Sequence, residues 1–115
     1  MIARRRLPNR RPSVTISLDH DGREYEITLG YDPSEIAIKE IFCTDKKSGS
    51  AMDFLIADQC VALSLLMQYG IPISDLTRSL GRIAVDMDDP ASLTRPASIF
   101  GVLTELLAFE IGDEK

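Results

Sequence analysis

Residues 14–29 read VTISLDHDGREYEITL and contain two runs of alternating polarity on either side of a turn signal. Apolar and polar residues alternate over 14–18 and again over 25–29, which is the period of a strand with one buried face. Between the two runs stands Asp21-Gly22, a strong signal for a tight turn. The stretch therefore predicts two antiparallel strands joined as a hairpin.

A third strand and a long helix are predicted next. Residues 36–44 are rich in β-branched and aromatic side chains, which favours a strand. From residue 51 to 69 the apolar residues recur at helical spacing, with Ser50 as a candidate N-cap. Gly70 and Pro72 are typical of a helix end. The run is so apolar in its second half that we expect a buried helix.

The C-terminal part predicts two further helices. Residues 73–80 indicate a short helix, and an acidic loop follows at 86–92. Pro96 suits the first turn of a final helix over 97–111. Strands therefore precede helices, which predicts an α+β fold: a three-stranded antiparallel sheet in the N-terminal half, a long buried helix, a short helix and a C-terminal helix.

Length and composition indicate one small domain. The chain has 115 residues, and 44% hydrophobic with 27% charged residues is ordinary for a globular protein. We expect a basic extended arm at 1–12, a single domain at 13–112 and a frayed tail at 113–115. The sequence shows neither a secretory signal nor a membrane span, which predicts a cytoplasmic protein with reduced cysteines at Cys43 and Cys60.

Positive charge is concentrated in the first eleven residues, although the whole chain has a formal net charge of −5. A basic arm can bind nucleic acid through phosphate contacts, which is one functional alternative. No aromatic residues are interleaved to stack on bases, so self-contacts are the preferred interpretation. The arginines concerned are Arg4, Arg5, Arg6, Arg10 and Arg11.

No pattern in the sequence predicts catalysis, a metal site or a cofactor. His20 is the single histidine and lies between aspartates in the hairpin turn, where neighbouring residues rarely converge on one ion. Cys-x-x-Cys, Gly-x-Ser-x-Gly and phosphate-loop motifs are all absent from the sequence.

One ligand site is a hypothesis from the residues themselves. Two lysines and a predicted turn directly precede the N-terminus of the long helix, where free N–H groups and the helix dipole attract anions. The competing interpretation is a capped helix with solvated lysines. The second functional alternative is therefore a small anion- or nucleotide-binding domain that uses Lys46, Lys47, Ser48, Gly49 and Ser50.

Short motifs follow one another along nearly the whole chain: Leu7-Pro8-x-Arg10-Arg11, Glu40-Ile41-Phe42, Lys47-Ser48-Gly49-Ser50, Leu63-Ser64-Leu65 and Gly70-Ile71-Pro72. In this order and spacing they resemble the TSCPD domain. That domain occurs in adenosylcobalamin-dependent (class II) ribonucleotide reductases and as small stand-alone proteins. The resemblance implies a small stand-alone relative of the C-terminal domain of these reductases.

The sequence departs from the family at the motif that names it. Where the family has Thr-Ser-Cys-Pro-Asp, this chain has Leu93-Thr94-Arg95-Pro96-Ala97, with arginine in the place of the cysteine. The radical and dithiol chemistry of a reductase needs more cysteines and a large barrel. The resemblance therefore implies a non-catalytic accessory or interaction module linked to nucleotide metabolism, with a ribonucleotide reductase or another protein as its partner.

A homodimer is the expected assembly. A three-stranded sheet has open edges, and the final helix carries a wider apolar stripe than one small core can cover. A twofold contact would cover both surfaces at once.

Overall fold

The computed structural model of the protein describes residues 3–4, 6–45, 51–86, 88–89 and 91–111. Its elements are β1 (Ser13–His20), β2 (Arg23–Asp32), β3 (Ala37–Asp45), α1 (Ala51–Gln68), α2 (Ile73–Ser79), β4 (Arg82–Ala84), β5 (Thr94–Pro96) and α3 (Ile99–Ile111). The antiparallel sheet has the order β1-β2-β3, and β4 pairs separately with β5. A three-stranded sheet followed by helices confirms the predicted α+β class.

The β1–β2 hairpin forms where the sequence predicts it. Asp21 and Gly22 occupy the two loop positions, and both have positive φ angles, of 50° and 77°. Two left-handed residues give the turn a twist that matches the twist of paired strands. The register is unbroken from His20↔Arg23 to Ser13↔Gly30.

One face of the sheet carries the apolar core of the N-terminal half. Ile27 and Leu29 of β2 are fully buried, and they stand opposite Cys43 and Ile41 of β3. Phe42 points to the other face, as the alternation predicts, and is exposed. The period of two thus separates a buried face from an open face.

Helix α1 ends at the predicted glycine. Gly70 has a φ of 80°, and its N–H donates to the carbonyl of Met67. The N–H of Ile71 donates to the carbonyl of Leu66. Paired bonds of this kind around a left-handed glycine are a Schellman motif, which satisfies the last carbonyls of a helix.

The prediction of a buried long helix holds for one face of α1. Ile56 and Leu63 are completely inaccessible to solvent. On other faces Phe54 is 75% exposed, and Leu55 and Val61 are more than half exposed. The apolar run therefore supplies both a core face and an apolar surface.

The final helix begins later than predicted. Pro96 lies in β5, and α3 starts at Ile99 because the hydroxyl of Ser98 accepts a hydrogen bond from the N–H of Gly101 at 3.1 Å. That bond is an N-cap, which a proline cannot make. Gly101 also leaves room for Pro96, whose Cβ would be 3.0 Å from an added Cβ. The β4–β5 hairpin has no signal in the sequence, because its strands are too short to show a period.

The chain divides into two compact units, Met1–Pro72 and Ile73–Lys115. In the second unit α2 packs against α3, with Leu103 and Leu107 fully buried and Phe109 exposed. Two compact units can belong to one domain, so the predicted boundaries at 13 and 112 stay a prediction.

We expect Leu63→Ala to destabilise the fold by about 2–5 kcal/mol, because it removes a fully buried side chain and leaves a cavity. Leu66→Ala is the matched control, since Leu66 lies on the same helix and is only partly buried. Urea unfolding midpoints measure both. Equal losses for the two variants would mean that the core does not lie on the Leu63 face.

Candidate functional site

Helix α1 lies along the outer edge of β3 and binds its backbone. The hydroxyl of Ser64 accepts a hydrogen bond from the N–H of Ile41 at 3.0 Å and donates to the carbonyl of the same residue at 3.3 Å. The side-chain amide of Gln68 donates to the carbonyl of Lys39 at 3.1 Å. The Lys39 ammonium in turn donates to the carbonyl of Met67 at 3.1 Å.

A third α1 side chain continues this series. The thiol of Cys60 has a hydrogen bond with the backbone of Cys43. Cys60, Ser64 and Gln68 are spaced four residues apart, which advances about 6 Å along a helix. Their partners in β3 are spaced two residues apart, which advances about 6.7 Å along a strand. Because the two repeats nearly match, one helix face can satisfy successive outward-facing groups of one strand.

This contact closes one of the two sheet edges. An edge strand presents unpaired N–H and C=O groups that can recruit another chain. At β3 those groups are bonded by α1, whereas β1 pairs only with β2 among the strands that the structure describes. The sequence-based expectation of two open edges therefore needs correction at β3.

A cleft of about 400 Å³ opens between β3 and α1 on the open side of the sheet. Phe42, 51% exposed, forms one wall, and Val61, 57% exposed, stands on the other. Most of the lining is apolar. The lining residues are Arg4, Glu40, Ile41, Phe42, Cys43, Thr44, Ala57, Cys60, Val61, Ser64, Leu65 and Gln68.

The two cysteines lie at the base of this cleft and are buried. Burial, with a smaller contribution from the neighbouring Cys60, raises the pKa of the Cys43 thiol to about 12. Burial also raises the pKa of Cys60, to about 11, although its backbone hydrogen bond acts in the opposite direction. Both thiols are therefore protonated at neutral pH, which makes them weak nucleophiles.

The N-terminal arm crosses the open face of the sheet. Arg11 forms a bidentate pair with Glu40 of β3, with both N–O distances at 2.7 Å. A further bond joins the Arg11 guanidinium to the carbonyl of Pro8 at 2.9 Å. The Glu40 side chain passes over Gly30, where an added Cβ would lie 2.6 Å from its Oε1 atom. Gly30 thus gives Glu40 the space to reach the arm.

Further along the arm, Arg4 donates from Nε to the side-chain oxygen of Gln68 at 2.6 Å. Gln68 therefore joins the arm, α1 and β3 through a single amide. Arg6 and Arg10 are exposed, and Arg5 lies outside the described residues. The arm is held by self-contacts at Arg4 and Arg11. Nucleic-acid binding through these arginines stays a prediction.

The proposed anion site cannot be placed. Lys46, Lys47, Ser48, Gly49 and Ser50 all lie outside the described residues, so this site also stays a prediction. Within the part of the chain that is described, no three His, Cys, Asp or Glu side chains are grouped so that they could hold a metal ion. No described helix combines the length and the apolar character needed to cross a membrane.

Sequence reasoning missed the residues that build the cleft. Ser64 and Gln68 read as polar interruptions of an apolar helix, and their spacing from Cys60 was the available signal. Residues four apart lie on one face of a helix, so the three polar side chains share a face. That α1 packs against β3 depends on tertiary structure, and no local pattern in the sequence predicts it.

The fold and the cleft define a small α+β domain whose central helix caps an antiparallel sheet. Over residues 3–107 the sequence matches the TSCPD domain. The chain therefore belongs to the TSCPD domain family, as its motifs predict.

Curated relatives are vitamin B12-dependent ribonucleotide reductases. The protein of that name from Streptantibioticus cattleyicolor is 30% identical over 91 residues, which cover 79% of this chain and 14% of the relative. Those from Streptomyces clavuligerus and Streptomyces coelicolor are 32% identical over 91 residues, covering 76% of this chain and 9% of each relative. The chain thus spans only a small part of these proteins. No solved structure matches it significantly.

We expect Ser64→Ala to destabilise the fold by about 1–3 kcal/mol, because it leaves the outward N–H of Ile41 without its partner. Ser79→Ala is the control, since the Ser79 hydroxyl bonds a backbone carbonyl on an exposed helix surface. Its loss should stay below about 0.5 kcal/mol. Similar unfolding midpoints for the two variants would contradict the capping role of Ser64.

The raised thiol pKa values predict a loss of stability at alkaline pH. In the unfolded chain a thiol ionises near pH 8.5, whereas Cys60 and Cys43 ionise near 11 and 12 in the folded chain. The stabilising contribution is therefore complete below about pH 8.5 and is lost as the pH rises toward 11–12.

Urea unfolding between pH 7.5 and 10.5, in the presence of a reductant, measures this loss. The double variant Cys43→Ala/Cys60→Ala should start from a lower stability and lose less of it over the same range. Parallel pH profiles for the variant and the wild type would show that the two thiols do not cause the effect.

Proposed function

We propose that this chain is a non-catalytic interaction module that binds a ribonucleotide reductase through the cleft between β3 and α1. The observation that carries the proposal is the pair of exposed apolar walls, Phe42 and Val61, on either side of the cleft. Large apolar side chains that face each other across an open groove are typical of a surface that another protein covers.

The family supports the choice of partner. In the curated relatives, a segment similar to this chain is part of a vitamin B12-dependent ribonucleotide reductase. A domain that packs against a catalytic chain in one polypeptide keeps a surface that fits that chain. The same surface on a separate polypeptide would bind in trans, which links this chain to nucleotide metabolism.

The side chains of the cleft support a role without catalysis. Cys43 and Cys60 are buried thiols with pKa values of about 12 and 11, far from those of reactive cysteines. Arg95, an exposed residue of β5, stands where the family motif has its cysteine. The proposed role therefore needs no catalytic step from this chain. The chain would affect the reductase by binding to it.

Calorimetric titration of the chain into a purified vitamin B12-dependent ribonucleotide reductase tests this proposal. Wild type should bind with a dissociation constant in the micromolar range. Phe42→Asp places a charge on the wall of the cleft, and we expect at least about a tenfold loss of affinity, as for other buried interface aromatics. Val61→Asp should have a similar effect.

Phe109→Asp is the matched control, because Phe109 is an exposed phenylalanine on α3 in the other compact unit. Its affinity should equal that of the wild type. Circular dichroism establishes that all three variants are folded. Absence of binding by the wild type at 100 micromolar, or equal affinities of Phe42→Asp and Phe109→Asp, would refute the proposed cleft interaction.

A further inference from the structure

Strand β1 presents a free edge whose outward groups can be identified. The bonds of Ser64 show that both backbone groups of Ile41 point away from β2. Leu29, which stands opposite Ile41, therefore directs its own groups toward β1. By the same alternation, the residues of β1 whose N–H and C=O groups point outward are Ser13, Thr15, Ser17 and Asp19.

These outward groups have no backbone partner among the described residues. Proteins usually protect such an edge with lysines, prolines, bulges or very short strands. Strand β1 is eight residues long, contains no lysine or proline and pairs with β2 without a bulge. Its edge is therefore suited to pairing with another strand.

The inner face of β1 also lacks complete cover. Val14 is 47% exposed, and Ile16 and Leu18 are only half-buried. Their partners in β2, by contrast, are fully or almost fully buried. An apolar groove of about 370 Å³ adjoins Val14. An added strand would cover this row of side chains and would extend the sheet at the same time.

We infer that β1 pairs antiparallel with β1 of a second copy about a twofold axis at Ile16. In this register Thr15 stands opposite Ser17 of the second copy, and Ser13 opposite Asp19. All the outward groups of β1 then meet outward groups, as an antiparallel ladder requires. Two three-stranded sheets become one continuous sheet with β1 strands at its centre.

The side chains of β1 favour a second copy over a foreign strand. On the inner face the register brings Ile16 beside Ile16 of the second copy, and Val14 beside Leu18. On the open face it pairs Ser13 with Asp19, so that no like charges meet. The strand is thus complementary to itself, which a twofold interface requires.

This association is separate from reductase binding, because β1 and β3 are opposite edges of the sheet. The two proposals can therefore fail independently. A homodimer formed through β1 leaves the cleft between β3 and α1 accessible in each copy.

Sedimentation equilibrium tests the inferred edge. The wild type should be a dimer at tens of micromolar. Thr15→Pro removes an outward N–H and keeps every backbone bond to β2, since a proline is tolerated where its missing N–H faces away from the ladder. It also removes the exposed side-chain bond between the hydroxyls of Thr15 and Thr28, at 3.2 Å. A twofold interface loses two hydrogen bonds, so the dimer dissociation constant should rise by roughly tenfold or more.

Cross-linking tests the register and does not depend on the folding of the proline variant. Ile16→Cys should form an intermolecular disulfide in an oxidising glutathione buffer, because its two copies face each other at the axis. Ser13→Cys is the control, since its two copies would lie about 20 Å apart along the paired strands. Native Cys43 and Cys60 are buried and remain in both variants.

The expected result is a disulfide-linked dimer for Ile16→Cys and monomeric bands for Ser13→Cys. A monomeric wild type at several hundred micromolar would overturn the inference. An unchanged dimer of folded Thr15→Pro would also overturn it, as would equal cross-linking of the two cysteine variants.

Discussion

Three side chains of α1 take the place of a fourth strand at the edge of β3. Cys60, Ser64 and Gln68 bond to successive outward positions of the strand, and the near match between helix and strand repeats makes this possible. Without α1, the outer edge of β3 would be open, and the sheet would have two edges able to pair with strands of other chains. The cap leaves β1 as the strand whose outward backbone groups have no backbone partner among the described residues.

The site follows from the same contact. Because α1 lies beside β3, a cleft forms between them on the open face of the sheet, with Phe42 and Val61 as its walls. Gln68 uses its amide N–H for the strand and its oxygen for Arg4, so the arm is tied to the same place. The cysteines at the base are kept protonated by the burial that the cap produces. The residues of α1 that cap the edge of β3 therefore also line the candidate site.

The sequence predicted the parts of the fold that depend on neighbours along the chain. The Asp21-Gly22 turn, the strand alternation and the Gly70 helix end are local signals, and the structure confirms them. The predicted start of α3 was wrong. Pro96 fits the first turn of a helix, but the hydrogen bond from the N–H of Gly101 to the Ser98 hydroxyl sets the N-terminus two residues later. Strands of three residues carry no usable period, so the β4–β5 hairpin was not predicted.

The candidate site was less predictable because it depends on which strand a helix meets. The anion site predicted at Lys46–Ser50 lies outside the described residues and stays a prediction, and in the sequence Ser64 is only a polar break in an apolar helix. In the structure, Ser64 and Gln68 connect α1 with β3 and help to line the cleft. The motifs that resemble the family include Ser64 and Phe42, which both line the cleft. The motifs alone do not show that these two residues lie close together.

Amide hydrogen exchange at Ile41, followed by NMR, tests the edge-capping interaction most directly. Under conditions in which the wild type is monomeric, the Ile41 N–H should be protected about as well as the ladder amides of β2. The amides of Thr15 and Ser17, on the open edge of β1, should exchange much faster. In Ser64→Ala, protection should fall more at Ile41 than at Leu29, where it should fall only by the amount that the lower global stability accounts for. Rapid exchange of Ile41 in the wild type, at the rate of Thr15, would show that α1 does not cap the edge of β3.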